Sequence, residues 1–518
     1  MIARLLRTTL LVVLIFSAKD AVAATTHYIS KTLGADTNNG TSKTTPWAHL
    51  PGMPSCTSTC ASYGPGAGDQ FILYGGDSWT STDLGVNWTW NGSSGSPIYI
   101  GVDQTWYSGS AWSRPIFNCG NTAVASTQYG AVIWVAGNYV TFDNIEVTGF
   151  QQQNSGGGAV FEVYGNSDTI ENSYIHGFSR TSGSSGSNSF AIEDNWSGGA
   201  GAGAVFDHNV IDGSDSPNKD FMGGILHGVT VSNNVIRYVY NGMNGVFNDV
   251  HSNFVGPNYV STSGDHCNLV FIQGTFSGTT LLAYNNVITN PGGCSGGSTL
   301  WLLGNGGCSS VCNTYAFNNV IYDTSVGFDP QGIIIAGHGA NGNMGTFYVF
   351  NNTIDPGGDC MGSGDTGGVN IGTVLLSNNH CVSGGNLCLS TAVTCTNSGG
   401  NLQQTQAQAD ANSSPHFDQY TDTQTNAFSP VAGTNSTVVQ GINEQLLCTT
   451  ITLLNATAGA ACKNDATYPS YNTSSHTVVT RSVNARPATT AWDIGAYQYS
   501  SSQVQALQPP TSLQAIVQ

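Results

Sequence analysis

The chain has 518 residues, only 8% of them charged, and its 30 acidic residues against 12 basic ones give a formal net charge of −18. Phosphate polymers are recognised through a basic footprint, so this balance excludes nucleic acid as a partner. Sixty-six glycines, with abundant Asn, Ser and Thr, exclude a predominantly helical protein and favour short strands joined by turns.

In chain order, "MIARLLR" is a basic start, "TTLLVVLIFSA" an apolar run too short to span a bilayer, and "AVA" a small-residue cleavage site. Residues 1–23 therefore read as a signal peptide, and the mature chain is expected to begin at Ala24 in the periplasm or the medium. This removes three basic residues and one acidic residue and leaves a formal charge of −20. No later stretch reaches the roughly 18 apolar residues of a membrane helix, so no membrane span is expected. The 13 cysteines fit an oxidising compartment. The pairs Cys56/Cys60, Cys308/Cys312, Cys388/Cys395 and Cys448/Cys462 are close enough to staple local loops, connectivity is not fixed by sequence, and one thiol is left over. Zinc is the rival reading of "CSSVC" at 308–312, but no second Cys/His pair follows at finger-like spacing.

Residues 24–130 read as entry strands and first coils, and from 131 to 400 one phrase keeps returning. It is "DHNVIDG" at 207, "SNNVIRY" at 232, "AYNNVITN" at 283, "FNNVIYD" at 317 and "FNNTIDP" at 350. Aligned on the last Asn before the apolar pair, the units mark Asn144, Asn172, Asn209, Asn234, Asn253, Asn286, Asn319, Asn352 and Asn379. Their intervals are 28, 37, 25, 19, 33, 33, 33 and 27. Such a period signals a solenoid whose units cannot bury their faces alone. Each unit has an alternating segment before the Asn and a short apolar segment after it. Several carry a second apolar run, "NLVFIQ" at 268, "TLWLLG" at 299 and "GIIIAG" at 332. The prediction is an all-β solenoid of parallel strands, three per coil, in about nine or more coils. Asn fits the corner because it tolerates the left-handed backbone region and its amide can bond to the Asn above and below.

These units resemble right-handed parallel β-helix proteins of the pectate-lyase-like superfamily, over roughly residues 27–390. The entry segment "HYISKTLGADTNNGTSKTTPWAHL" and the close "ARPATTAWDIGAYQY" at 485–499 are similar to segments of secreted bacterial members. Residues 401–499 are expected to pack irregularly against the last coils, and 500–518 to form a polar tail. The resemblance implies a carbohydrate-active protein, expected as a monomer, whose partner is an extracellular polysaccharide.

Between Arg114 and Lys463 the basic residues are Arg180, Lys219 and Arg237. In the resembling enzymes the loop after the corner strand walls the substrate cleft, which implies that these three overlook one groove. β-Elimination from a uronate needs a base at C5, a positive charge or metal for the enolate, and an acid for the leaving oxygen. Lys219 beside Arg237 would fit, as in members that use a Lys/Arg pair, with Arg180, His266 and Asp265 at the edge of the groove. The structural reading of Arg237 is an ion pair with Asp212 in the adjacent coil. Glu193, Asp194, Asp215 and Asp220 would hold Ca²⁺ through oxygen ligands and reconcile an acidic protein with an acidic glycan, although their spacing is not diagnostic. "SGDHCNLVFIQG" at 263–274 and "AGHG" at 336–339 look like fragments of polygalacturonase-type hydrolases, but His266 replaces the second Asp and no Arg-Ile-Lys segment follows. Gln273, Asn305 and His338, spaced by 32 and 33, would line up at three strand ends. With Trp301, Tyr238 and Tyr240 they would form a sugar platform. His176, His208, His227 and His251 read as structural. The favoured activity is lyase-type cleavage of a uronate-containing polysaccharide; the alternatives are a non-catalytic glycan-binding or adhesion solenoid, and a glycoside hydrolase with a carboxylate pair.

Overall fold

The structure is a computed structural model. It describes residues 24–499 except 123, 125–129, 153–157, 181–188, 195–202, 218–221, 259–267, 275–279, 290–300, 307–311, 323–330, 336–343, 357, 364–371, 383–384, 389–393, 412–428, 431, 467–468 and 481. The repeating units become coils of three strands. Strands that end at the corner, such as Val140–Asp143, Thr169–Glu171, Val205–Asp207, Leu281–Tyr284 and Thr314–Phe317, stack into a first sheet. Strands that leave it, among them Glu146–Gln152, Tyr174–His176, Val210–Asp212 and Val235–Arg237, stack into a second. The apolar runs that follow, among them Gly158–Val163, Ser189–Asp194 and Val270–Gly274, make a third. Met222–Ser232 and Met243–His251 each run through the third sheet into the first and join the two. Every pairing described within these sheets is parallel, so the architecture is a parallel β-helix.

The core follows from alternation. In the first sheet Phe142, Ile170, Phe206, Val231, Val250, Ala283 and Ala316 stand in one register column, each buried. In the second, Val147, Ile175, Ile211, Ile236 and Val255 do the same. Burying these faces against one another is what the isolated coil cannot do.

At the corner the structure divides between two residues the work that the sequence reading gave to one. The residue with left-handed φ is the one before the ladder position: Asn285 at 56°, Asn318 at 56° and Asn351 at 54°, with His208 and Ser252 filling the same place at 55°. The following Asn makes the ladder. Asn286 donates Nδ2 to the Oδ1 of Asn319 (3.0 Å) and to the Val250 carbonyl (3.0 Å), and its backbone N–H bonds the same Oδ1. The column runs Asn209, Asn234, Asn253, Asn286, Asn319, Asn352, Asn379 and one further rung, Asn401. Asn144 and Asn172 belong one place earlier, at φ 63° and 53°, and Ser173 takes the ladder position of its coil.

The C-terminal segment straddles this corner. Helices Gln445–Leu454 and Ala456–Cys462, joined by the Cys448–Cys462 disulfide, cover outward aromatics of the first sheet, including Tyr284, Phe317 and Phe350. An antiparallel hairpin, Pro469–Asn472 with Thr477–Thr480, lies near the second sheet, where Tyr471 joins a cluster with Tyr174, Val210 and Val235. Buried Arg486 ties the segment to the corner through Asn318 Oδ1 (3.0 Å) and four backbone carbonyls. Three of the expected cysteine pairs form, Cys56–Cys60, Cys388–Cys395 and Cys448–Cys462, while Cys308 lies outside the described residues. Cys360–Cys381 also pair, across 21 residues that the coil folds back, and buried Cys119 stays a free thiol. Among the described residues no helix is long and apolar enough to cross a membrane.

Candidate active site

Along the first sheet, the outward position just before the corner carries Asp143, Glu171 and Asp207 on three paired strands, in register. The same position in later coils is Ser232, His251, Tyr284 and Phe317. The aromatic end of this column is covered by the C-terminal helices, and the acidic end lies beside a groove of about 680 Å³. Asp143, Glu146, Asn172 and His208 line it from the coils, Trp112 and Arg114 from the preceding loop, and Ser474–Val478 from the hairpin. A second hollow of about 460 Å³ shares Glu146 and His476 with the first and adds Tyr174, His176, Asp212, Asp215, Arg237 and Tyr471. Together they have the size of a sugar-binding cleft.

The carboxyl groups are held unequally. Asp143 accepts from Tyr99 Oη (2.6 Å) and Asn172 Nδ2 (2.8 Å). Asp207 accepts from Ser232 Oγ (2.6 Å) and Asn233 Nδ2 (2.8 Å) and pairs with His208 Nδ1 at 2.7 Å. Burial works against the Asp207 charge, but these partners hold its carboxyl below the ordinary range. Glu171, between the two, goes the other way: burial first, then the charges of Asp143 and Asp207, push it up. The register therefore sets a carboxyl raised by burial and by its neighbours' charges beside one, Asp207, held low by its partners, and such divergence is how acid and base roles are separated.

On the second sheet His176 bridges Asp215 (2.7 Å) and Glu146 (3.2 Å). Burial opposes its charge, yet the two carboxylates raise it to about 9, so it is a cation at neutral pH. Its ring stacks on Tyr174 at 4.1 Å, and His476 of the hairpin stacks on Tyr174 at 4.1 Å as well. Arg114 clamps the hairpin, donating to the carbonyls of Asn172, Ser475 and His476. Tyr471 bonds Asp212 (3.2 Å) and His476 Nδ1.

Of the residues singled out from sequence, those described fall on different sheets. Arg237 and Asp212 are adjacent-coil neighbours, 3.1 Å apart, but the pair is buried, not a surface one. The guanidinium also lies over the rings of Tyr471 (4.5 Å) and Tyr238 (5.1 Å) and lines the smaller hollow. Arg180 sits on the strand Ser179–Arg180, paired with Gln152 beyond the second sheet's end. Lys219, Asp220, Asp265, His266 and His338 lie outside the described residues. Glu193 and Asp194 are consecutive on a strand and face opposite ways, with Asp194 buried in the column of Val163. Asp215 belongs to His176 on another sheet, so Glu193, Asp194 and Asp215 do not gather around one ion. The strands of Gln273 and Asn305 are paired, with a register irregularity at that point. Of the aromatics expected on the platform, Tyr240 is buried and Tyr238 half-buried, while Trp301 lies on a strand paired with those of Val270 and Ile333. His227 and His251 are structural, burial lowering each to about 4. His176 and His208, read as structural, line the groove instead.

No family model and no curated protein matches the sequence. Among solved structures, the chain is similar to a GH136 lacto-N-biosidase from Eubacterium ramulus at 12% identity and a TM-score of 0.41, covering 74% of this chain and 68% of that one. It is similar to pectate lyase Pel9A at 15% identity and a TM-score of 0.40, covering 92% and 98%. It is similar to a rhamnogalacturonan lyase at 14% identity and a TM-score of 0.39, covering 74% and 87%. The fold is a parallel β-helix. The three parallel sheets carry that statement, and the superpositions assign no chemistry to this chain.

Proposed function

We propose that this protein is exported and cleaves glycosidic bonds of an extracellular polysaccharide in the corner groove, by acid–base chemistry of paired carboxyl groups. The observation that carries the reading is the in-register set Asp143, Glu171 and Asp207, in which Glu171 is raised and its neighbour Asp207 is held low. Glu171 gives its proton to the glycosidic oxygen as the bond to the anomeric carbon breaks. Asp143, fixed by Tyr99 and Asn172, faces the carbon that becomes electron-poor. Water then supplies hydroxide to that carbon and returns a proton to the carboxylate of Glu171, leaving a new reducing end. Neighbouring strands lie about 4.8 Å apart, which matches the short carboxyl separation of retaining enzymes, about 5–5.5 Å, better than the longer inverting one.

Lyase chemistry is the rival. Its base, Lys219, lies outside the described residues; what disfavours it at the groove is that Arg237 is engaged by Asp212. The test is a panel of polysaccharides assayed for reducing ends and for the absorbance of unsaturated products. Reducing ends without that absorbance, lost by two or more orders of magnitude in Glu171→Gln, are expected for carboxyl catalysis. Unsaturated products that survive Glu171→Gln and vanish in Lys219→Ala would return the activity to elimination. Ligand retention with neither product would make the solenoid a binding protein.

A further inference from the structure

We propose that the groove accepts a cationic polysaccharide, one with free amines on an extended chain such as β-1,4-linked glucosamine, and not the uronate chain implied by the family resemblance. The inference rests on the corner groove being the substrate site and adds the class of substrate. Among the described residues, the cations at the groove are already answered. Arg114 is 7% exposed and donates to three backbone carbonyls. Arg237 is 9% exposed and paired with Asp212, and His176 is held between Asp215 and Glu146. What a ligand meets is carboxylate: Asp143 and Glu146 line the larger hollow, and the side chain of Asp215 is 51% exposed at the smaller.

Spacing gives a second argument. Asp143, Glu171 and Asp207 repeat once per strand, about 4.8 Å, which is close to the advance of one pyranose in an extended β-1,4 chain. A polymer lying along the coil axis thus presents successive sugars to successive acids. Amines on those sugars would find charge-assisted acceptors at Asp143, Glu146 and Asp215, whereas uronate carboxylates would lie against like charges, the nearby His208 being already paired with Asp207. The formal charge of −18 over the whole chain draws a polycation to the groove and repels a polyanion.

The test uses the full mature chain and three soluble polymers at mildly acidic pH: partly deacetylated chitosan, the same sample re-acetylated, and polygalacturonate. Binding is read by affinity electrophoresis and cleavage by reducing ends. The expected result is binding of the amine polymer at least tenfold tighter than of the other two. It should weaken at least tenfold between about 10 and about 100 mM salt, as the screening length falls from about 30 to about 10 Å. Glu146→Gln, shown to be folded by circular dichroism, should weaken it about fivefold, the effect of one charge-assisted contact. Equal binding of the re-acetylated polymer, tighter binding of polygalacturonate, or no binding of any overturns the proposal. The two readings fail separately. Amine-selective binding with no Glu171-dependent cleavage keeps the substrate class and removes the catalytic reading, and Glu171-dependent cleavage of an acidic glycan does the reverse.

Discussion

Asn286 and Asn285 are adjacent, both buried, and should respond oppositely to mutation. In Asn286→Ala the side chain loses two bonds that it donates, to Val250 O and Asn319 Oδ1, and two that its Oδ1 accepts, from the N–H and Nδ2 of Asn253. At about 0.5–1.5 kcal/mol each the four bonds amount to about 2–6 kcal/mol, and the two Asn253 donors left without an acceptor place the value in the upper half of that range. Asn285 has φ 56° and an amide with no hydrogen-bond partner at either end among the described residues. Asn285→Gly keeps the backbone conformation at no steric cost and removes no bond, so a change within about 1 kcal/mol is expected. Urea denaturation followed by circular dichroism, with both variants on one wild-type curve, reads the difference. Similar losses for the two variants would refute the division of labour at the corner.

Arg237→Ala should cost about 3–5 kcal/mol, because Asp212 is left buried and unpaired, and Arg237→Met with Asp212→Leu should recover most of it in thermal melts. Asn455 caps helix Ala456–Cys462 through Ala458 N–H (3.0 Å) and donates to Asp249 Oδ2 (3.0 Å). Asn455→Ala should cost about 1–2 kcal/mol and open the C-terminal segment to limited proteolysis before the coils are cut. Burial raises Asp168 and Asp194 to about 8 and Asp249 to about 7, so each folded carboxyl holds a proton that the unfolded chain has released above about 4. Their stabilisation is complete below about pH 4 and is lost as pH rises through 7 and 8. Buried His227, His251 and His380, lowered to about 4, act oppositely below about pH 6.5. The two sets oppose each other between about pH 4 and 6.5, so the melting temperature is expected to vary little there and to fall from about pH 6.5 toward about pH 8.5, less steeply in Asp194→Asn.

The coil was legible because its physics is periodic. A strand that must stack on its copy repeats its Val and Ile, and the corner amide repeats with them, so Asn209 to Asn379 could be read off the sequence. The offset at Asn144 and Asn172 was not legible, since Asn serves both the left-handed position and the ladder position, and only geometry separates them. The groove was missed for a related reason. Attention to scarce cations led to Arg237, which the fold buries against Asp212, while the informative signal was an acid held in phase with the corner in "FDN", "IEN" and "FDH". Tyr471 and His476 reach the site from some 300 residues away, by hairpin docking that no periodicity encodes.

The most direct test of the central claim is where a cleavable oligosaccharide binds, determined crystallographically with Glu171→Gln to arrest turnover. The account predicts the sugar chain along the corner, with its scissile oxygen beside position 171 and its flank against Ser474–Val478. A chain lying instead across the third sheet, away from Asp143 and the hairpin, would contradict it.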